Sequence, residues 1–286
     1  MNITTDTKMI TLLGTPLSQS FAARMQNRGY EAAGLNMLYF YTETDSEHLG
    51  DIVNGLRYMN FAGFAVTKPN KVKVMEYLDE KDPLCEKMGS CNTVVRTDDG
   101  RLIGYNTDGL GFHRSITEEG GIDIPSSTVF CIGAGGAGRA ICSDLAYSGV
   151  KKLYITDAFE AASSSLVEDL KKNFAPVDVE LVDFGDFSKT AECSLLINAS
   201  GVGMGASAGT SPIPEEYIRP EHFCFDACYN PAKTQFLMDA EAKGCRILNG
   251  LGMSLYQGTA QIKIWTGQEA PVEAMRQELL DILAEG

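Results

Sequence analysis

A short apolar run that leads into a glycine-rich turn and then into a helix-forming run is the feature that most restricts how this chain folds. Residues 128–133 (TVFCIG) have the β-branched and aromatic character of a buried strand, and they lead into Gly133-Ala134-Gly135-Gly136-Ala137-Gly138. That segment matches G-x-G-x-x-G, and residues 137–148 behind it read as a helix. In such a unit the glycines permit a tight turn and let a pyrophosphate approach the backbone. The N–H groups at the helix start then face the phosphates. A glycine-rich turn by itself also occurs in α/β proteins that bind no nucleotide. The strand before it and the helix after it carry the reading towards a dinucleotide site.

The next strand-like run, 152–157 (KLYITD), ends at Asp157, 19 residues after Gly138. An acidic side chain there takes the adenosine ribose hydroxyls; the plainer alternative is a solvated turn residue. A 2′-phosphate beside that carboxylate is repelled, and Ala158-Phe159-Glu160 supply no Arg or Lys to compensate. NAD is therefore the favoured cofactor, with NADP as the alternative.

Elsewhere, short apolar runs alternate with longer amphipathic ones. Residues 9–14, 37–41, 63–67, 93–96, 101–105, 179–183 and 195–198 read as strands. Residues 24–33, 46–59, 110–119 and 159–174 read as helices, and Asp98-Asp99-Gly100 reads as a hairpin turn. The tail, 251–285, reads as two helices broken near Pro271. Strands alternating with helices imply parallel sheets, and 286 residues suffice for two α/β domains.

Composition excludes several classes. The net charge is −14, with 24 Lys and Arg against 38 Asp and Glu, and no basic run offers a nucleic-acid footprint. Acidity at this level still leaves room for a small anionic substrate held by a few placed donors. The first eight residues are polar, without the apolar core of a signal peptide. No stretch approaches the roughly 18 uncharged apolar residues of a membrane span. The eight cysteines include no C-x-x-C pair, and nothing near Cys224 and Cys228 completes a metal set, so reduced buried thiols and no metal are expected. These features lead to an expectation of a cytoplasmic protein without nucleic-acid or membrane partners.

A dehydrogenase acting on an alcohol needs a group that exchanges the hydroxyl proton as hydride leaves carbon. Histidine is the usual candidate. This chain has only His48, His113 and His222, none in a motif-like loop. Other segments are more suggestive: Val66-Thr67-Lys68-Pro69-Asn70-Lys71, then Ser90-Cys91-Asn92-Thr93, then Tyr105-Asn106-Thr107-Asp108-Gly109. With these the chain resembles the shikimate dehydrogenase family, whose features include a V-T-x-P-x-K loop, an A-x-N-T turn and an N-T-D-G segment. The same order continues through the glycine-rich loop to Asn198-Ala199-Ser200, then Gly250-Leu251-Gly252-Met253 and Gln257, so the resemblance spans nearly the whole chain. Tyr105-Asn-Thr-Asp-Gly and Pro69-Asn70-Lys71 look closest to the quinate/shikimate branch.

The resemblance implies that Lys71 and Asp108 are the proton-transfer pair. A protonated lysine donates to a forming alkoxide, and partial desolvation makes it a usable base. On the loop alone, which also holds Lys68 and Lys73, Lys71 reads equally as a surface charge. The resemblance further implies that Thr67, Asn92 and Gln257 hydrogen-bond ring hydroxyls and that Tyr229 lies near the substrate carboxylate. Met253 with Gly250 would line the nicotinamide pocket, Asn198-Ala199-Ser200 would lie near the ribose and nicotinamide, and Lys68 would be solvated.

One segment departs from the family. Where the family carries G-x-P-x-x-H-S-x-S-P, whose two serines grip the substrate carboxylate, this chain reads Gly14-Thr15-Pro16-Leu17-Ser18-Gln19-Ser20-Phe21-Ala22-Ala23. Ser20 matches the first serine, Ala22 replaces the second, and Gln19 replaces the histidine. Sliding Ser18 and Ser20 into the clamp requires a two-residue gap. Without a gap, Met25-Gln26-Asn27 and Ala33-Gly34-Leu35 also fall where that branch has similar residues.

The expected fold is α/β in two domains. Residues 1–106, completed by 250–286, form an α/β substrate domain, and residues 107–249 form a Rossmann-like dinucleotide-binding domain. The expected activity is reversible hydride transfer between NAD or NADP and a ring hydroxyl of a cyclic hydroxy acid, shikimate or quinate, in a monomer or homodimer. The alternatives are a dehydrogenase of a related cyclic acid such as aminoshikimate and, from another class, a non-catalytic nucleotide-binding regulator.

Overall fold

The computed structural model describes residues 3–18 and 20–285; Gln19, the residue in the place of the family histidine, lies outside them. The described chain divides into two compact units, one running to Thr107 and including the tail from Ser254, the other Asp108–Met253. The sequence reading sets its boundaries at 106/107 and 249/250.

In the first unit the order is β1 (Lys8–Gly14), α1 (Ala22–Ala32), β2 (Met37–Glu43), α2 (Leu49–Leu56), β3 (Phe61–Val66), β4 (Glu80–Lys81), α3 (Pro83–Met88), β5 (Thr93–Arg96) and β6 (Leu102–Tyr105). The second unit contains α4 (Asp108–Arg114), β7 (Thr128–Ile132), α5 (Gly136–Tyr147), β8 (Lys152–Thr156), α6 (Glu160–Asn173), β9 (Val179–Leu181), β10 (Leu195–Asn198), β11 (Phe223–Asp226), α7 (Gln235–Ala242) and β12 (Arg246–Asn249). Helices α8 (Leu251–Thr266) and α9 (Val272–Glu285) form the tail. Because α8 begins at Leu251, the division at Met253/Ser254 falls inside a continuous helix.

The first sheet has the order β2-β1-β3-β5-β6-β4. Strands β1, β2 and β3 are mutually parallel, whereas β5 runs antiparallel to both β3 and β6. The register pairs Ala65 with Thr93 and Thr93 with Tyr105. The ends of β1 and β3, the start of β5 and the end of β6 therefore share one edge. The core beneath is apolar by pattern: Leu49, Val53 and Leu56, at i, i+4 and i+7 of α2, bury against Leu13, Phe64, Val74, Val94 and Leu102. Helix α3 starts where Asp82 Oδ1 accepts from Leu84 N at 2.9 Å and Pro83 takes the first helical position.

The second sheet is wholly parallel, in the order β12-β11-β10-β7-β8-β9. Counted within the unit this is 3-2-1-4-5-6, the doubly wound arrangement, and its switch point lies between β7 and β10. The sequence reading assigns no element to 199–250, where the structure has β11, α7 and β12. Strand β12 is only four residues long with one fully exposed position, and α7 has two turns, too little of either period to register. Helix 46–59 shortens to α2, because residues 57–60 turn back into β3. Among the described residues no helix is long and apolar enough to cross a membrane. All eight cysteines are buried and free.

Candidate active site

The glycine-rich loop lies at the switch point of the second sheet. Gly133 has φ +111°, and a Cβ on it would stand 2.5 Å from the Ala199 carbonyl carbon and the Ser200 nitrogen. A Cβ on Gly138 would be 1.9 Å from Gly133 O, so only glycine lets α5 approach the loop this closely. Gly135 differs: nothing lies within 4 Å of where its Cβ would be. It is exposed and forms the N-cap of α5, with Gly136, Ala137 and Gly138 in the first turn, so that N–H groups open outward. A pocket of about 550 Å³ is lined by Gly133, Gly135, Asp157, Ala199 and Ser200 together with Phe159 and Phe184. Residues and space fit a dinucleotide: the wall is backbone and small side chains, and a carboxylate stands at the β8 end.

Asp157 is tied into the loop. Its Oδ2 accepts from Ala134 N at 2.7 Å and its Oδ1 from Phe159 N at 2.8 Å, so the carboxylate braces the glycine-rich turn against the end of β8. The residues lining the pocket include no Lys or Arg among those described. The nearest arginine in sequence, Arg139, is held by Asp169 at 2.5 Å and Ser165 at 3.2 Å. Phe159 and Phe184, 78% and 61% exposed, are the large side chains among the lining residues that sequence reasoning missed, with Val202, Thr210, Ser211 and Pro212 beside them. Phe159 carries a signal in the sequence, since an aromatic two residues past Asp157, beyond the end of β8, has no core to fill.

Asn198 is not open to a ligand. It is fully buried: its Nδ2 donates to Val202 O (2.8 Å) and Asp226 Oδ1 (2.9 Å), and its Oδ1 accepts from Ser200 N (3.1 Å) and Ser200 Oγ (2.6 Å). It shapes the loop that brings Ala199 and Ser200 to the pocket. Asp226 also accepts from Thr234 Oγ1 at 2.6 Å and Cys228 N at 2.9 Å, and burial pushes its carboxyl above the usual range. Tyr229, half-buried, follows Cys228 on that braced turn. Gly250 packs against the Ala227 backbone, where a Cβ would be 2.1 Å from Ala227 O, and Met253 is buried in the first turns of α8.

In the first unit the shared sheet edge collects the other residues. Thr67 N donates to Leu13 O (2.9 Å) and Thr15 N to Lys68 O (3.0 Å), which lays the loop after β3 along the end of β1. Asn70 is fully buried: its Nδ2 donates to Thr44 O (2.8 Å), and its Oδ1 accepts from Ser46 Oγ (2.9 Å). This anchors the loop directly before Lys71, whose carbonyl accepts from Cys91 N at 2.8 Å. Lys71 is half-buried, while Lys68 is exposed. Asn92 is buried at the start of β5. Its Oδ1 accepts from Thr93 Oγ1 (2.7 Å) and Thr107 N (2.9 Å), and its Nδ2 donates to Thr107 Oγ1 (3.0 Å) and Gln257 Oε1 (3.4 Å). Asp108 follows Thr107, is buried, and begins α4.

At the departure from the family motif, Ser20 Oγ accepts from Ala22 N at 3.3 Å. Tyr41 Oη donates to Ser20 O at 2.6 Å and accepts from Ala23 N at 3.0 Å, so a phenol from β2 stitches the segment that carries Ala22. The three histidines all have other engagements. His48 pairs with Asp45, and His222 lies between Arg219 N and Thr190 O, where burial lowers its pKa. His113 Nδ1 lies 3.2 Å from Asp144 Oδ2 and 3.3 Å from Ser148 Oγ.

Comparison with known proteins agrees with this architecture. Residues 12–94 match the model of the shikimate dehydrogenase substrate binding domain, and residues 250–280 match that of the shikimate 5'-dehydrogenase C-terminal domain. The shikimate dehydrogenase (NADP(+)) of Listeria monocytogenes serotype 4b is 39% identical over 285 residues, with 97% of each chain covered. The solved shikimate 5-dehydrogenase of L. monocytogenes, in complex with shikimate and NAD, is 38% identical with a TM-score of 0.90 and 98% of each chain covered. The quinate dehydrogenase of Corynebacterium glutamicum, solved with NAD, is 27% identical with a TM-score of 0.89, covering 96% of this chain and 99% of that one. The NADP(+) in the relative's name does not support the preference for NAD drawn from Asp157, and the two solved complexes contain NAD. Identity of this extent over nearly the whole length makes the chain a member of the shikimate dehydrogenase family.

Proposed function

We propose that the protein reversibly oxidises a ring hydroxyl of a cyclic hydroxy acid, shikimate or quinate, with NAD or NADP. The observation that carries this reading is the gathering of Thr67, Lys71, Asn92, Thr107 and Gln257 at one edge of the first sheet. Ring hydroxyls need both donors and acceptors. The Asn92 amide, the Gln257 amide and the Thr67 hydroxyl supply them on a preorganised frame. Lys71 and Asp108 serve as the proton-transfer pair: the amine gives its proton to the forming alkoxide in reduction and recovers it in oxidation. When bound, the nicotinamide ring supplies or accepts the hydride. Gly133 to Gly138 enclose its pyrophosphate, which the backbone N–H groups from Gly135 to Gly138 hold, and Ala199, Ser200, Gly250 and Met253 line the rest of its path.

For the adenosine end we infer NAD. A 2′-phosphate added beside Asp157 brings its charge against a carboxylate, in a pocket without a lining cation among the described residues. Tyr229 and Ser20 serve the substrate carboxylate. With Ala22 in place of a hydroxyl, a related cyclic acid with a less demanding carboxylate contact is the second reading. The deciding experiment is initial rates of nicotinamide reduction with shikimate and quinate, each with NAD and NADP. Turnover with one of these acids is expected, fastest with NAD. Dinucleotide binding without turnover on either acid refutes the substrate and leaves the related acids and the non-catalytic regulator.

A further inference from the structure

Behind Asn92 runs a buried chain of polar side chains that the reaction itself does not require. Gln26 on α1, fully buried, donates from Nε2 to Gly258 O (3.1 Å) and to Gln261 Oε1 (3.0 Å). Gln261 on α8, 3% exposed, donates from Nε2 to Thr93 Oγ1 (2.9 Å) and Asn92 O (3.4 Å). Thr93, also fully buried, then gives its hydroxyl proton to Asn92 Oδ1 at 2.7 Å.

Both ends of this chain are backbone groups whose polarity cannot change. Gly258 O only accepts, so the Gln26 amide must turn its nitrogen there. Thr107 N only donates, so the Asn92 amide must turn its oxygen there. Between these ends only one orientation of the Gln261 amide serves. If Gln261 were flipped, its nitrogen would face the Gln26 nitrogen, and its oxygen would draw the Thr93 proton away from Asn92. The arrangement has a cost, because Gln26 Oε1 is buried without a hydrogen-bond partner among the described residues. Apolar side chains would fill this space without that penalty, so the polar chain calls for a reason.

We propose that Gln26, Gln261 and Thr93 are positioning residues that, together with the Thr107 N–H, hold the Asn92 oxygen inward and its NH₂ towards Thr107 Oγ1 and Gln257, so that the N–H on the long 3.4 Å contact to Gln257 Oε1 is the one a substrate hydroxyl takes over. Gln26 lies one helical turn beyond Ala22, so the chain also ties α1, at the segment assigned to the substrate carboxylate, to the residue assigned to the ring. The proposal rests on the substrate role assigned to Asn92 above.

The test is a double-mutant cycle in the full-length enzyme, with shikimate or quinate, whichever it oxidises, as the varied substrate. Gln261→Glu keeps the shape but has no N–H for Thr93, whose proton then turns to the new carboxylate. Thr93→Val breaks the chain one link closer to Asn92 and is the second variant should Gln261→Glu not fold. Each is expected to raise KM about tenfold, the scale of one lost or misdirected hydrogen bond, with kcat within about twofold. The Kd for the dinucleotide, read by NADH fluorescence, stays at the wild-type value. In an Asn92→Ala background the same changes are expected to alter KM by less than about twofold, because their effect passes through that amide. A full tenfold effect persisting without Asn92, or a wild-type KM in both variants, overturns the proposal. A wild-type KM for Asn92→Ala itself overturns the substrate role of Asn92 as well, so the two failures are told apart.

Discussion

Two single-methyl substitutions in the glycine-rich loop should separate what the fold needs from what the ligand needs. In Gly138→Ala the new methyl would sit 1.9 Å from Gly133 O. An ordinary carbon–oxygen contact is about 3.3 Å, so the start of α5 must withdraw by about 1.4 Å. A backbone N–H placed about 2.9 Å from a phosphate oxygen would then exceed 4 Å and cease to bond. Losing one hydrogen bond to a charged group costs about 1.5–3 kcal/mol, or about 10- to 150-fold in dinucleotide Kd. The displaced helix should also lower the unfolding midpoint, because backbone rather than a yielding side chain opposes the methyl. In Gly135→Ala no protein atom lies within 4 Å of the methyl and the backbone angles suit alanine, so the unfolding midpoint should stay put. The dinucleotide Kd should rise all the same, since only the ligand meets the added group. Fluorescence titration with NADH and thermal unfolding without ligand read both quantities. Wild-type affinity in Gly138→Ala, or a destabilised Gly135→Ala with unchanged affinity, would refute this account of the loop.

Lys71→Ala should lower kcat by about 10²- to 10⁴-fold, the range for removing a general acid–base, with dinucleotide affinity unchanged; unaltered turnover removes Lys71 from the chemistry. Replacing Asp157 by Ala together with Ala158→Arg should move the ratio of kcat/KM values towards NADP by at least about tenfold, as one repulsion becomes an attraction. An unmoved ratio would mean that the 2′ position lies elsewhere. The His113–Asp144 pair predicts a pH dependence of stability. The hydrogen bond that His113 donates to Asp144 raises the His113 pKa above its ordinary 6.5, and burial raises Asp144 above 3.8 against the opposing pull of His113. Both folded pKa values exceed the unfolded ones, so each group's contribution is full below its unfolded value and is lost as pH rises through its folded one. The unfolding free energy should therefore fall from about pH 3.8 upward through Asp144 and again from about pH 6.5 upward through His113, and His113→Gln should flatten the second slope in denaturant titrations across pH; an equal slope there in the variant would show another group responsible.

The sequence made the periodic and punctuated parts of the molecule readable, and physics explains which parts those are. A glycine demanded by backbone contact leaves a mark in the sequence, as at Gly133 and Gly138, and so does a strand buried on both faces such as β7. The residues that motif spacing singled out in the first unit lie along one edge of its sheet, because the ends of parallel β1 and β3 are joined there by the start of β5 and the end of β6, which the antiparallel pairing through the 98–100 turn brings back to the same side. Sequence cannot report which polar side chains spend their hydrogen bonds internally. Asn198 reads as a ligand contact, yet all four of its bonds go to Val202, Asp226 and Ser200, three of them fixed by how the loop after β10 folds back and one by β11. Gln26 reads as part of a stretch similar to the quinate/shikimate branch and Gln261 as an ordinary helix residue, and only the approach of α1 to α8 shows that they are buried together. Asp157 combines both kinds of information: its position after β8 marks it for the ribose, and the structure adds that its carboxylate also holds the Ala134 N–H. A substitution there therefore acts on the turn as well as on the cofactor. The NADP switch must accordingly be judged by the ratio between the two cofactors, in which a loosened loop affects both alike, and not by the loss of NAD binding alone.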